Sequence, residues 1–294
     1  HKNIMLIPDS AHGTNPATAA ACGFEIRTLK TGADGLVDMD DFREAIGDGE
    51  NIAGMMLTNP NTCGLYETNA HEMARLLHDA DGYFYCDGAN FNAIVGKVKP
   101  AEFGVDVMHF NLHKTFSTPH GGGGPGCGPI AVCEELAEYL PIPVLLKKED
   151  GKFELTEDAP ESFGRLKGFQ GQYGMFVRAL TYMLSHGGDG LRRVAEDAVL
   201  NANYLKAKLK DYYHVPFQDY HSMHEFLMND RLQRDSGITT MDIAKTMVEY
   251  GIHPMTVYFP LVVNGAMLIE PTETESKQQL DRLVAVLQKI ALDV

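Results

Sequence analysis

Short apolar runs alternate along the first half of the chain with segments whose apolar residues recur at helical spacing. Ile4 to Ile7 is an apolar run closed by Pro8, and Thr14-Asn15-Pro16 is a start signal for a small-residue helix over Pro16 to Cys22. The same alternation predicts strands over Phe24 to Leu29, Ile52 to Leu57 and Tyr83 to Cys86, with helices over Asp38 to Ile46 and Ala70 to Ala80 between them. A further apolar run follows at Val105 to Phe110. Strands alternating with helices form βαβ units, so the expected fold class is α/β with a mostly parallel sheet. Ligands of such sheets bind beyond the carboxyl ends of the strands, which directs attention to the loops after Ile7, Leu57, Cys86 and Phe110.

The pattern changes after Pro141 and Pro143. Lys147 to Glu161 is polar and reads as a surface excursion. A long helical pattern spans Gly190 to Tyr212, followed by a strand at Glu225 to Met228, a helix at Thr240 to Tyr250, and strands near Thr256 to Phe259 and Met267 to Ile269. Thr272-Glu273-Thr274-Glu275 fits a capping box that opens a last helix, with Leu280, Leu283, Val286, Leu287 and Ile290 on one face. These elements predict a large domain over 1–145, a connecting segment over 146–189, and a smaller C-terminal α+β domain over 190–294.

Composition excludes several classes of function. The content of 44% apolar and 22% charged residues suits a soluble globular enzyme, and a net charge of −15 argues against nucleic acid and anionic membranes as partners. No apolar run approaches the length of a membrane span, and the start of the chain lacks a leader pattern, so a cytoplasmic location is expected. Five cysteines without a CxxC pair signal neither a disulfide framework nor a zinc site, and the twelve histidines show no HxH or HExxH spacing. No metal site is expected.

The candidate chemistry lies at the predicted strand ends. Asn111-Leu112-His113-Lys114-Thr115-Phe116 follows the Val105 to Phe110 run and precedes Gly121-Gly122-Gly123-Gly124-Pro125-Gly126. A lysine at a strand end before a glycine-rich loop suits a Schiff-base lysine, whose amine attacks an aldehyde carbon while small residues leave room for a flat ring. A solvated lysine before a flexible loop fits the same residues. Asp87, in Cys86-Asp87-Gly88-Ala89-Asn90, can pair with a protonated ring nitrogen or cap a turn. Asp87 lies 27 residues ahead of Lys114 and His12 lies 102 ahead. His12 can stack on a ring or bond backbone at a helix start.

That order of residues resembles the fold-type-I pyridoxal-phosphate (PLP) enzymes of the aspartate aminotransferase superfamily, and Thr58-Asn59-Pro60-Asn61-Thr62-Cys63-Gly64 resembles their asparagine turn. Ser10 to Ala17, Asp87 to Asn90, Asn111 to Phe116 with Pro119 to Gly126, and Glu270 to Ser276 resemble, more narrowly, the glycine decarboxylase P-protein family. Ser162 to Tyr182 and Asp197 to Tyr204 are similar to the second subunit of its two-subunit form. The resemblance implies PLP covalently held at Lys114, Asp87 on the pyridine nitrogen, His12 stacked on the ring and Asn59 beneath the phenolic oxygen. It places Thr14 and Ala89 against the cofactor, and His113 and Thr115 near its phosphate or the substrate carboxylate. It also implies glycine as substrate, a lipoylated H-protein as acceptor of the aminomethyl group, and a homologous cofactor-free first subunit in a heterotetramer-like assembly. The family's phosphate loop lies upstream of the segment corresponding to His1, so the N-terminal part of the large domain is expected to be missing from this chain. Three alternatives stay open: an aminotransferase, a desulfurase-like enzyme, and a non-catalytic scaffold subunit of the same complex. Against the first two, Thr256 to Pro260 offers no arginine clamp and no cysteine follows Cys133.

Overall fold

In the computed structural model, residues 2–293 are described. The first half contains β1 (Ile4–Pro8), α1 (Thr14–Ala21), β2 (Glu25–Leu29), α2 (Met39–Ile46), β3 (Ile52–Thr58), α3 (Ala70–Asp79), β4 (Tyr83–Gly88), β5 (Val107–Phe110), the one-turn α4 (Leu112–Thr115) and β6 (Ile130–Val132). These six strands form one sheet in the order β2-β1-β3-β4-β5-β6, parallel throughout except for β6, which runs antiparallel to β5. The mostly parallel sheet expected from the alternation is present. β3 reads IAGMMLT and is buried along nearly its whole length, as a central parallel strand covered on both faces should be. Its core gathers Leu6, Leu29, Phe42, Met55, Leu57, Met73, Leu77 and Phe84. Each such side chain contributes roughly 1.5–3 kcal/mol of burial energy.

The second half continues with β7 (Val144–Lys147), β8 (Phe153–Thr156), α5 (Tyr173–Leu209), β9 (Phe226–Asn229), α6 (Thr240–Glu249), β10 (Thr256–Val257), β11 (Ala266–Ile269) and α7 (Lys277–Leu292). β7 and β8 pair as an exposed hairpin, and β10, β11 and β9 form an antiparallel sheet in that order. Helices α5, α6 and α7 cover that sheet through Leu205, Leu209, Met247, Leu280 and Leu287, and the buried Tyr213 hydroxyl donates to the Leu287 carbonyl at 2.8 Å. A third cluster joins the halves: Leu36, Cys63 and Leu65 from the first pack with Leu227, Val263, Ala266 and Leu268 from the second.

Three local expectations are corrected. The long helix begins at Tyr173, well ahead of Gly190, and is interrupted at Gly187, whose φ of +62° a residue with a side chain rarely adopts. The strand near Thr256 is only two residues long. The capping box is not Thr272 with Glu275. Ser276 caps α7 by accepting from the Gln279 N–H, and the Gln279 side chain accepts in return from the Ser276 N–H at 3.0 Å. Thr272 instead closes a preceding turn, its carbonyl accepting from Glu275 N–H at 3.2 Å. Two successive Ser/Thr-x-x-Glu/Gln patterns compete here, and the extended Ser276 backbone (φ −73°, ψ 154°) decides between them. Ser276→Ala should therefore cost about 1 kcal/mol of stability, whereas Thr272→Ala should leave the unfolding midpoint in urea nearly unchanged. Equal losses would contradict this capping assignment.

Candidate active site

Strands β1, β3, β4 and β5 are neighbours and parallel, so their carboxyl ends place four loops side by side. His12 follows β1, Asn59 follows β3, Asp87 is the last residue but one of β4, and Lys114 follows β5. The four residues singled out from the sequence thus share one edge of the sheet.

Asp87 is 2% exposed. Its Oδ1 lies 3.0 Å from His109 Nε2 and accepts from the Ala89 N–H at 2.9 Å, and its Oδ2 accepts from the Thr58 hydroxyl at 3.4 Å. Burial pushes this carboxyl up, but the His109 imidazole and the Ala89 N–H outweigh it and hold it below the ordinary carboxylate value. His109 faces Asp87 in the β4–β5 register, and its Nδ1 lies 2.7 Å from the Tyr85 hydroxyl. Burial raises the Tyr85 phenol, so it keeps its proton and donates to Nδ1, which leaves Nε2–H for Asp87. Gly88 permits this approach, since a Cβ there would stand 2.1 Å from the His109 carbonyl oxygen.

Asn59 is fully buried; its Oδ1 accepts from the Glu67 N–H at 3.0 Å while its Nδ2 has no partner. Glu67 braces the same turn by accepting from Asn61 Nδ2 at 2.8 Å and from the Val37 N–H at 3.2 Å, and burial pushes its carboxyl up to about 7. His12 is exposed, its Nδ1 accepting from the Thr14 N–H at 3.1 Å and its ring 5.8 Å from Phe259. The backbone bond and an open ring face coexist. Thr14 is exposed, and Ala89 is half-buried with its N–H committed to Asp87.

Lys114 is exposed on α4; its backbone N–H donates to the Asn111 carbonyl at 3.0 Å, and its side chain makes no hydrogen bond or ion pair with the described residues. Around it the hydroxyls of Thr115 and Thr118 and the His113 Nδ1 are buried without partners. His113 packs edge-on against His120 at 4.8 Å, and burial holds it below the ordinary imidazole value. From the other half come residues that sequence reasoning missed. Glu225 and Glu270 lie at the facing ends of β9 and β11, and His224 Nε2 stands 3.8 Å from each carboxylate. Asn90 Nδ2 and Asn92 Nδ2 donate to Glu225 and Glu270, each at 3.3 Å. Neither ring nitrogen of His224 has a hydrogen-bond partner.

An ionised carboxylate, an uncommitted amine, and unpaired amide and hydroxyl donors at one sheet edge fit a group with a basic ring nitrogen, an aldehyde and further acceptor oxygens. Pyridoxal phosphate has this donor and acceptor set.

Residues 2–126 match the family model "Aminotransferase class-V" and residues 194–294 match "Glycine dehydrogenase, C-terminal domain". The two matches and the fold define a member of the class-V aminotransferase superfamily of PLP-dependent enzymes. A probable glycine dehydrogenase (decarboxylating) subunit 2 of Caulobacter vibrioides is 58% identical over 296 residues, covering 99% of this chain and 56% of that protein. A protein of the same description from Bacillus licheniformis is 53% identical over 292 residues, with 99% and 59% covered. This chain belongs to the glycine dehydrogenase (decarboxylating) subunit 2 family. It spans 56% and 59% of the length of these two relatives. Among solved structures, an inhibitor-bound glycine decarboxylase (P-protein) of the glycine cleavage system superposes with a TM-score of 0.79 at 21% identity, covering 98% of this chain and 66% of that one. An apo cysteine desulfurase from Thermococcus onnurineus NA1 gives 0.71 at 16% identity, with 100% and 74% covered. At these identities the two structures speak to the fold alone.

Two predictions follow from the titrating groups. In His109→Leu the Asp87 carboxyl should titrate at a higher pH than in the parent chain, read by carboxyl ¹³C NMR without cofactor. An unchanged titration would remove His109 from this role. Glu67 is raised in the folded chain, so it binds more protons there than when unfolded, and its contribution to stability is present at low pH and lost as pH rises from about 4.5 to about 7. Glu67→Gln should flatten the unfolding free energy across that window, measured by urea titration at several pH values.

Proposed function

We propose that this chain carries the PLP-bearing, decarboxylating site of the glycine cleavage system: glycine loses CO2 and its aminomethyl group passes to the lipoyl arm of H-protein. The observation that carries the reading is the pairing of an uncommitted Lys114 amine with an ionised, buried Asp87 at adjacent strand ends. When bound, PLP supplies an aldehyde carbon for an amine and a ring that takes up the electron pair freed as CO2 leaves.

The chain's own residues divide the remaining work. Lys114 would be the amine that holds the cofactor. Asp87 keeps a proton on the ring nitrogen, and its ionisation rests on His109 and the Ala89 N–H. His12 offers a ring face beside Phe259, with Thr14 fixing its orientation from the backbone. Asn59 offers its free Nδ2, and His113 and Thr115 offer unpaired donors for the phosphate or the substrate carboxylate.

A subunit 1 partner in a heterotetramer-like assembly is part of this reading; the relatives' designation as subunit 2 supports the partner. Phe163, Leu166, Phe169, Tyr173 and Leu184 support it, since all five are more than half exposed on the segment between the two cores. A cytoplasmic location accords with five free cysteines, and among the described residues no helix is long and apolar enough to cross a membrane.

Borohydride reduction of the PLP-loaded protein, followed by peptide mapping, should tag Lys114. A tag on Lys97, Lys99 or Lys167 would overturn the assignment. With subunit 1 and lipoylated H-protein added, exchange of labelled CO2 into glycine should fall roughly a thousandfold or more in Lys114→Ala.

A further inference from the structure

The small antiparallel sheet ends in a group of ligating side chains that the proposed chemistry leaves unused. β9 and β11 pair with Phe226 opposite Ile269, so Glu225 and Glu270, the residues flanking that pair, emerge together at the sheet end. His224, one residue further out, holds its Nε2 3.8 Å from both carboxylates. The imidazole is 1% exposed and has no partner on either nitrogen. A buried polar group left unsatisfied is costly, and the lone pair of a neutral imidazole is met only by a hydrogen-bond donor or a cation.

Among the described residues no lysine or arginine pairs with either carboxylate, and the donors that reach them are two amides from the first half of the chain. Asn90 Nδ2 donates to Glu225 Oε1 and Asn92 Nδ2 to Glu270 Oε1, each at 3.3 Å, and Asn90 is itself fixed by the Pro60 carbonyl at 3.0 Å. These amides orient the acids as outer partners of a ligand set do, and Glu225 Oε2 remains free toward His224. One ligand atom from each of the three residues lies within 4.8 Å of the others. Metal bonds of about 2.0–2.2 Å to nitrogen and oxygen set tetrahedral ligand atoms about 3.4 Å apart, so each side chain closes on an ion by moving about an ångström or less. The Glu270 side chain keeps 46% of its surface open, which gives an ion a way in from the cleft.

We propose that His224, Glu225 and Glu270 form a site for a divalent transition-metal ion of the zinc class, with His224 Nε2 and one oxygen of each glutamate as ligands. An imidazole with two carboxylates suits zinc and its neighbours manganese and iron, whereas magnesium and calcium take oxygen ligands. Three protein ligands leave a coordination position open for water on the cleft side. The ion ties the start of β9 to the end of β11, and through Asn90 and Asn92 it stiffens their contact with the turn that follows β4. No local spacing announces the site: the imidazole and the first acid are adjacent, the second acid follows another strand, and the antiparallel pairing assembles them. The site is independent of the proposed role of Lys114 and is tested without cofactor or glycine, so the two readings fail separately.

Zinc titrated into the cofactor-free chain against a chromophoric chelator should bind at this site and stay bound in a large excess of magnesium. Glu270→Gln, an isosteric change at a half-open position, should weaken zinc binding on the order of tenfold or more, and His224→Gln on the order of a hundredfold or more. Zinc should also raise the parent chain's unfolding midpoint in urea by mass action and leave that of His224→Gln unmoved. An affinity unchanged in both variants would assign the zinc to cysteines or surface histidines and overturn the site. Absence of zinc binding would overturn it as well, leaving the two acids to share a proton. Displacement of the zinc by magnesium would remove the nitrogen ligand and with it the proposal. Anomalous diffraction at the zinc edge, from crystals of the unmutated chain, decides the matter even where a variant fails to fold. A peak bounded by His224, Glu225 and Glu270 is expected, and peaks at other positions alone refute the site.

Discussion

A buried carboxylate must be satisfied from every side or it will protonate, and the geometry around Asp87 follows from that requirement. Its oxygens are met by a backbone N–H two residues on, a hydroxyl from β3 and an imidazole from β5, so three consecutive parts of the sheet are needed to keep one charge. Each of these contacts depends on the parallel register, in which Thr58, Asp87 and His109 stand side by side. A slip of one residue in β4 or β5 would turn His109 to the other face and leave Asp87 without its strongest partner. The sheet's register and the site's charge state are therefore one constraint.

The same economy of contact governs how the halves meet. Gly64, at φ +78°, lets the Asn59 turn approach the start of β9 so closely that a Cβ would stand 2.2 Å from the Glu225 carbonyl oxygen. The Gly64 carbonyl accepts from the Met223 N–H at 2.7 Å, and Cys63 and Leu65 on either side enter the cluster that bridges the two cores. One turn thus carries Asn59 toward the cofactor side and anchors the smaller sheet that carries Glu225. Glu67 braces that turn from within, which explains why a carboxyl with no role at the sheet edge is buried there at all.

The parts of this site that were legible in the sequence share a simple property. His12, Asn59, Asp87 and Lys114 each lie within five residues of the end of an apolar run, so locating the strands narrowed the search to the loops that hold them, and the family resemblance singled them out there. His109 and Tyr85 carry no such mark: within their strands they are ordinary polar and aromatic positions, and only the β4–β5 register sets one against Asp87 and the other behind it. Glu225 and Glu270 are 45 residues apart and meet through an antiparallel pairing that periodicity does not specify. The misplaced capping box has the same origin at shorter range, since two successive patterns satisfy one rule and backbone conformation chooses Ser276. Local signals identified elements and strand ends, and pairing between elements identified partners.

Taken together, the acids of this site are held in opposite conditions. Asp87 is kept ionised by donors aimed at it, whereas Glu225 and Glu270 are raised above the ordinary carboxyl value, chiefly by burial. The difference lies in the number of donors rather than in depth: Glu225 is buried almost as thoroughly as Asp87 but receives one amide N–H where Asp87 receives an imidazole, a hydroxyl and a backbone amide. One edge of the cleft therefore offers a fixed negative charge suited to a ring proton, and the other offers a charge that depends on whether a cation stands nearby.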